Sequence, residues 1–360
     1  MQRRGIDCTI YEAAPELREV GAGIWMATNA LCIADKLEVA DDIIRAGYRI
    51  ERGGLCDAKG RDLQMVDNRI FERKYGYGTI SIHRGRLQAV LASHVVEGVI
   101  HLDHRLSLVD ENGERIKLYF DNGKEAECDI LIGADGVKSV VRKKLLGEIP
   151  FRYSGQTCWR GIVDYKLLRP EQSSEHWGAS GGLRVAACQI SDSETYFYIT
   201  QKTKAGGQDE EGSIVPYLLE LIKEFPTFLS EVVGKAQEGN IIRSDLHDIP
   251  PIKRWHADNI VLVGDAAHPS TPNLGQGGCQ AMEDAYTLAE CLSTYSTPME
   301  AFVAYERHRM SKAKFVVNTS YQLALASNIG GTLGWRVRNF ILRSVPEFIG
   351  RRQFDYLYKI

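Results

Sequence analysis

The spacing of apolar residues changes several times along the chain, and each change marks an element. Residues 6–11 form a short apolar run that closes on Glu12. Arg3-Arg4-Gly5 before it reads as the last turn of a helix with glycine just past its end. From 28 to 47, Leu31, Ala34, Leu37, Ile43 and Ile44 recur near helical spacing and the segment stops at Gly47, which predicts a helix. Residues 48–82 switch to short extended pieces, and a second helix is expected over 85–98. The segments "VIHLDHRLSLVD" and "RIKLYFDNGKEAECDILIGADG" then read as strands, with a D-N-G turn between them.

Between 151 and 200 the runs "QTCWRGIVDY", "GLRVAACQIS" and "TYFYITQ" read as further strands. A polar loop (201–213) and helical pieces (213–236) follow. From Ile260 the order reverts to strand, glycine-rich turn and long helices. Strand–helix units thus bracket a mostly β insertion. This predicts an α/β fold: a parallel-sheet nucleotide domain of separated segments, with a sheet-based domain inserted at roughly 151–243. The tract "GWRVRNFILRSVPEFIG" reads as a terminal helix docked on the body. A membrane-surface role for it is the weaker reading, because it is short and carries arginines on several faces.

Composition narrows the class. The 360 residues suffice for two cores, and 44% apolar with 25% charged residues is ordinary for a globular chain. A net charge of −3 argues against nucleic acid as the main partner. Eight scattered cysteines include no C-x-x-C pair and none near a histidine at ligand spacing. Reduced thiols in a cytoplasmic protein, with no metal, are expected. No apolar stretch approaches the ~20 residues that span a bilayer.

The candidate chemistry sits at two strand ends. In "NIVLVGDAAHPSTPNLGQGGCQAMEDAYTLAECL" (259–292), four consecutive apolar residues read as a strand buried on both faces, with Gly264 and Asp265 at its carboxyl end. Pro272 stiffens the loop, and Gly275, Gln276, Gly277 and Gly278 let a ligand approach main-chain N–H groups before a helix begins near Cys279. In "CDILIGADGVKSVVRKKL" (128–145) another apolar strand delivers Asp135 and Gly136, with Ser139 and Arg142 following on about one helical face.

These residues resemble single-component FAD-dependent aromatic hydroxylases, the monooxygenase group of salicylate, hydroxybenzoate and urate hydroxylases. Three ordered motifs spread over nearly the whole chain carry the likeness. The resemblance implies that Asp265 binds the ribityl chain of FAD and that Pro272, Gly275, Gln276, Gly277 and Gly278 flank the isoalloxazine. It links Asp135-Gly136 to FAD and NAD(P)H use, and gives Arg84, opening a helix in "IHRGRLQAVL", a reach to the FAD. Glu12 matches the ribose-binding acid, and "REVGAGIWMATNA" (18–30) the stretch that runs along the cofactor. The implied fold is a Rossmann-like FAD domain of the glutathione-reductase type (1–56, 79–150 and 244–329). An inserted β-sheet substrate domain (57–78 and 151–243) and a C-terminal helical segment (330–360) complete it.

The implied reaction is NAD(P)H-dependent hydroxylation of an aromatic or N-heterocyclic small molecule by O2 through a flavin C4a-hydroperoxide, in a monomer or homodimer. Trp159, Arg160, Arg184, Tyr196 and Tyr198 are candidate substrate contacts on the inserted sheet, with Arg184 a partner for a substrate anion. His268 is expected to stabilise its turn rather than act as a base. Rival readings are a related flavoprotein epoxidase or reductase, or a non-catalytic remnant. A halogenase is disfavoured because no two tryptophans stand two residues apart. No G-x-G-x-x-G turn occurs, and the family's first strand, turn and helix are missing before Met1. The chain is therefore expected to fold poorly or to hold FAD weakly.

Overall fold

A computed structural model describes residues 1–17, 22–331 and 333–360, Glu347 through its backbone alone. The parallel sheet expected from the apolar runs is present in two pieces. Leu131–Gly133 runs parallel to Ile260–Leu262, with Ile132 opposite Val261. Ile260, Val261 and Leu262 are buried against Phe302 and Tyr305 of the long helix Pro298–Ser327, as an unbroken apolar strand requires. The second piece is Ile10–Tyr11 beside Ile100–His101, also parallel. No ladder joins the two pieces among the described residues.

That separation has a measurable consequence. Ile10 and Glu12 donate their N–H groups to Val99 and His101, so the Tyr11 N–H between them points to the open side of the strand. Ile10 and Tyr11 are 43% and 36% exposed. Amides of residues 6–12 are expected to exchange with solvent orders of magnitude faster than those of 260–263. Hydrogen-exchange mass spectrometry reads this directly, and equal protection would mean that the edge is covered.

Residues 28–47, expected as one helix, form two. Thr28–Lys36 and Ala40–Ala46 are separated because Glu38 adopts left-handed backbone, φ 56°. Leu31, Ala34 and Ile43 still share one core with Met26 and Ile82. The strand Gly23–Met26 pairs antiparallel with Thr79–His83, which also pairs with Tyr48–Ile50. The terminal segment likewise forms two helices, Gly334–Ser344 and Glu347–Tyr358.

The inserted domain is a seven-stranded sheet. Its order is Ile242–Asp248, Arg152–Asp164, Glu194–Lys202, Arg184–Gln189, Gln172–Trp177, Arg52–Asp57 and Asp62–Asp67. The hairpin of residues 52–67 lies wholly in this sheet, and the strand Ile242–Asp248 forms its other edge. One face is covered by helices Ile214–Leu221 and Thr227–Gly234, whose Leu218, Ile222 and Leu229 pack on Trp159, Phe197 and Ile199. The other face looks toward the nucleotide domain. There Gln156 donates to Ser327 Oγ at 2.7 Å, and the Tyr196 ring lies so close to Gly23 that an added Cβ would meet it at 2.6 Å.

Candidate active site

Because Leu131–Gly133 and Ile260–Leu262 are parallel neighbours, their carboxyl ends open on the same edge, and the 135 and 265 loops emerge side by side. Arg142 joins them. Its guanidinium donates to the carbonyls of Asp265 at 3.2 Å, Ala266 at 2.9 Å and Val137 at 2.5 Å. Asp135 stands at the start of helix Val140–Leu146, where its carboxylate accepts the Val140 and Val141 N–H groups at 2.7 and 3.1 Å and the Ser139 hydroxyl. Gly136, at φ 77°, has open space where a Cβ would stand.

Asp265 still meets solvent on part of its surface, yet protein crowds it on the remaining sides. This desolvation raises its pKa, and the charges of His268, Arg84 and Arg142 pull it back. Arg84 opens helix Arg84–Ser93 with an exposed side chain that has no hydrogen bond or ion pair to a described residue. Gly264 turns the chain at φ 57° with Ala281 behind it. A Cβ on Gly277 would stand 4.0 Å from Asp265 Oδ1, so the start of helix Gly277–Thr294 meets that carboxylate. On Gly278 a Cβ would collide with Ile24 at 2.8 Å. Pro272 and Gly275 are exposed at the tip of the loop.

Gln276 behaves differently. Its side chain turns inward, where Oε1 accepts from Asn29 and Gln280. It belongs to a buried polar layer under the loop. Asn29, Lys312 and Arg309 all donate to Glu283; Arg309 also pairs with Asp284 at 2.8 Å; Asp284 accepts the Gly264 N–H at 2.9 Å and lies 2.5 Å from His268 Nε2. Burial pushes the Asp284 pKa up, but His268 and Arg309 outweigh it and hold the carboxyl at about 2. His268 thus stabilises the turn. Sequence reasoning missed Arg309 and Asn29. A signal was present: Asp284 shares its helical face with Leu288 and Cys291, which are buried.

The five candidates on the inserted sheet divide by face. Trp159 points away from the loops into the helix-covered core, its Nε1 donating to Asp209 at 2.8 Å. Arg160, Tyr196, Tyr198 and Arg184 share the opposite face through the pairings Arg160–Tyr198 and Ala186–Tyr198. Arg184 is 2% exposed and fully engaged, with Glu175 at 3.2 Å, Thr200 at 2.9 Å and Asn273 of the loop at 2.5 Å. It rivets the sheet to the loop and offers no free donor pair for an anion. Glu175 also accepts from Tyr198 and Trp177. Arg160 keeps a buried Nε without a partner. Trp25, not singled out from sequence, fills the space between the sheet and the loop: added Cβ atoms on Gly53 and Gly275 would touch its ring at 3.6 and 4.0 Å.

Glu12 ends the Ile10–Tyr11 strand with its carboxylate accepting the Ala14 N–H at 2.8 Å. Of the stretch 18–30, residues 18–21 lie outside the described residues. A cavity of about 510 Å³ lies away from these loops, walled by Trp177, Tyr217, Phe225 and Trp335, and neither Asp135 nor Asp265 lines it.

A family model described as an FAD binding domain matches residues 1–320. The chain belongs to this family of FAD-dependent monooxygenases. Aurachin C monooxygenase/isomerase of Stigmatella aurantiaca is 35% identical over 96% of this chain and 90% of its own length. The 2-heptyl-3-hydroxy-4(1H)-quinolone synthase of Pseudomonas aeruginosa is 30% identical over 99% of this chain and 92% of its own. The crystal structure of Klebsiella pneumoniae HpxO with FAD and uric acid shares the fold, with a TM-score of 0.89 at 24% identity over 99% and 92% of the two chains.

The residues present fit a flavin. Arg84, whose side chain bonds no described residue, lies within the field of Asp265 at its strand end, and the Gly277 start of a long helix lies beside that carboxylate. Among the described residues no helix is long and apolar enough to cross a membrane, and no cluster of His, Cys, Asp and Glu could hold a metal ion.

Proposed function

We propose that this monooxygenase uses NAD(P)H and O2 to hydroxylate an N-heterocyclic aromatic small molecule, a 2-alkyl-4-quinolone being the first candidate. The joining of the 135 and 265 loops through Arg142, and of the 265–278 loop to one sheet face through Arg184 and Trp25, carries the reading. The quinolone preference draws on the name of one relative reported above, the 2-heptyl-3-hydroxy-4(1H)-quinolone synthase of Pseudomonas aeruginosa. Bound FAD, once reduced, would supply the two electrons that let O2 deliver one oxygen atom to the ring and release the other as water.

This chain's own residues bind, orient and exclude water. Asp265, Arg84 and the first turn of Gly277–Thr294 would hold the cofactor, with Asp135, Gly136, Pro272, Gly275, Gln276 and Gly278 shaping its groove and Glu12 its ribose end. Trp25 and Tyr196 offer aromatic faces to a flat ring. Arg160 Nε is a donor for a ring carbonyl or phenolate. The Tyr198 hydroxyl donates to the Glu175 carboxylate; burial first, then that negative charge, raises its pKa well above the ordinary phenol. It therefore stays neutral and positions rather than deprotonates.

The test is NADH and NADPH oxidation with oxygen uptake by FAD-loaded protein, given 2-heptyl-4-quinolone, urate or 4-hydroxybenzoate in turn. The expected result is stimulation by the quinolone and a product heavier by one oxygen atom. Stimulation by urate or the phenol alone would replace the substrate class. Cofactor oxidation that yields only hydrogen peroxide with all three would reject hydroxylation of these ring classes.

A further inference from the structure

The terminal helix Gly334–Ser344 is amphipathic in the reverse sense to a helix packed on a core. Two of its polar residues, Arg338 and Asn339, face inward. Arg338 is 5% exposed, donates to the carbonyls of Gly178 at 2.8 Å and Ile329 at 3.0 Å, and lies over the Trp177 ring at 5.0 Å; Asn339 accepts from it. An apolar stripe faces out. Leu333, just before the helix, with Val337, Phe340 and Ile341 recur at i, i+4, i+7 and i+8 and are 57–71% exposed. Val345 and Pro346 turn the chain, and Phe348 and Ile349 in the first turn of Glu347–Tyr358 are 56% and 47% exposed. The two phenylalanines alone present on the order of 200 Å² of apolar surface, so the whole stretch reaches the size at which exposed patches mark interaction sites.

The surroundings say what covers it. Residues 333–360 hold six basic and two acidic side chains, a net +4 in a chain of net −3. Arg336, Arg351 and Arg352 are exposed, and Arg352 stands over the Phe348 ring at 5.8 Å. An apolar stripe rimmed by arginines, too short to span a bilayer, matches the interface of a negatively charged lipid surface. We propose that these two helices dock the enzyme on an anionic membrane surface, with Leu333, Val337, Phe340, Ile341, Phe348 and Ile349 entering the acyl boundary and the arginines meeting headgroup phosphates. The inference stands apart from the choice of substrate.

Co-sedimentation of the full chain with vesicles of phosphatidylcholine alone, and of phosphatidylcholine mixed with phosphatidylglycerol, tests it. Binding to the mixed vesicles that weakens with salt is expected. A Phe340→Ser/Ile341→Ser double variant should bind at least tenfold more weakly, and Arg336→Gln/Arg352→Gln should lose the preference for the anionic lipid. Both variants lie on the surface and should melt at the temperature of the parent, which separates lost docking from lost folding. Absence of partitioning into either vesicle, or undiminished binding by the Phe340/Ile341 variant, overturns the proposal. So does a dimer that this variant dissolves while vesicles leave the parent unbound, since the occupant is then a second copy of the chain.

Discussion

Arg309→Ala is expected to lower the unfolding free energy by about 3–5 kcal/mol, the usual cost of stripping one partner from a buried ion pair. Arg309 is 4% exposed and bonds Glu283, Asp284 and the Gln280 side chain at once. In the variant Glu283 keeps Lys312 at 2.8 Å, so Asp284 is the carboxylate left short of charge. The pH dependence has a definite sign. Asp284 has a depressed pKa in the folded protein, so its contribution is present above the unfolded carboxylate value and fades as pH falls toward about 2. Without Arg309 the Asp284 pKa rises and acid unfolding begins at higher pH. Denaturant melts of both proteins at about pH 7 and about pH 4 would show this. A loss under about 1 kcal/mol at neutral pH would mean that the layer relaxes around the gap.

Asp265→Ala is expected to raise the FAD dissociation constant ten- to a hundredfold, because a charge-assisted hydrogen bond contributes about 1.5–3 kcal/mol. The carboxylate lies beside the Gly277 backbone and within the field of Arg84, and its main-chain carbonyl, which the substitution keeps, still anchors Arg142. The loop connection therefore survives, and the change in affinity reports the side chain alone. Flavin fluorescence titration measures it. An unchanged dissociation constant would remove Asp265 from the cofactor's contacts and weaken the assignment of the whole groove.

The parts of the fold legible in the sequence were those where burial leaves no choice. Ile260–Leu262 reads as a strand because a parallel strand covered on both faces must be apolar throughout, and the acid–glycine pair after it marks the ligand edge. The site's second layer was less legible. Trp159 and Arg160 are neighbours on one strand, and alternation separates them without saying which faces the 265–278 loop. That assignment comes from distant contacts, Arg184 with Asn273 and Tyr196 with Gly23. The break at Glu38 was equally hidden, since one residue in left-handed backbone leaves the apolar spacing on either side intact. The reversed polarity of Gly334–Ser344 was present in the pattern, but spacing alone cannot tell an apolar stripe turned outward from one turned inward.

The bond from Arg184 to Asn273 makes the inserted sheet and the 265–278 loop one mechanical unit. With the cofactor and substrate seated as proposed, changing Arg184 would disturb both seats at once, confounding selectivity with coupling. Tyr196, packed on Gly23, ties the same sheet face to the Gly23–Met26 strand, so substitutions there would be transmitted to a second segment as well.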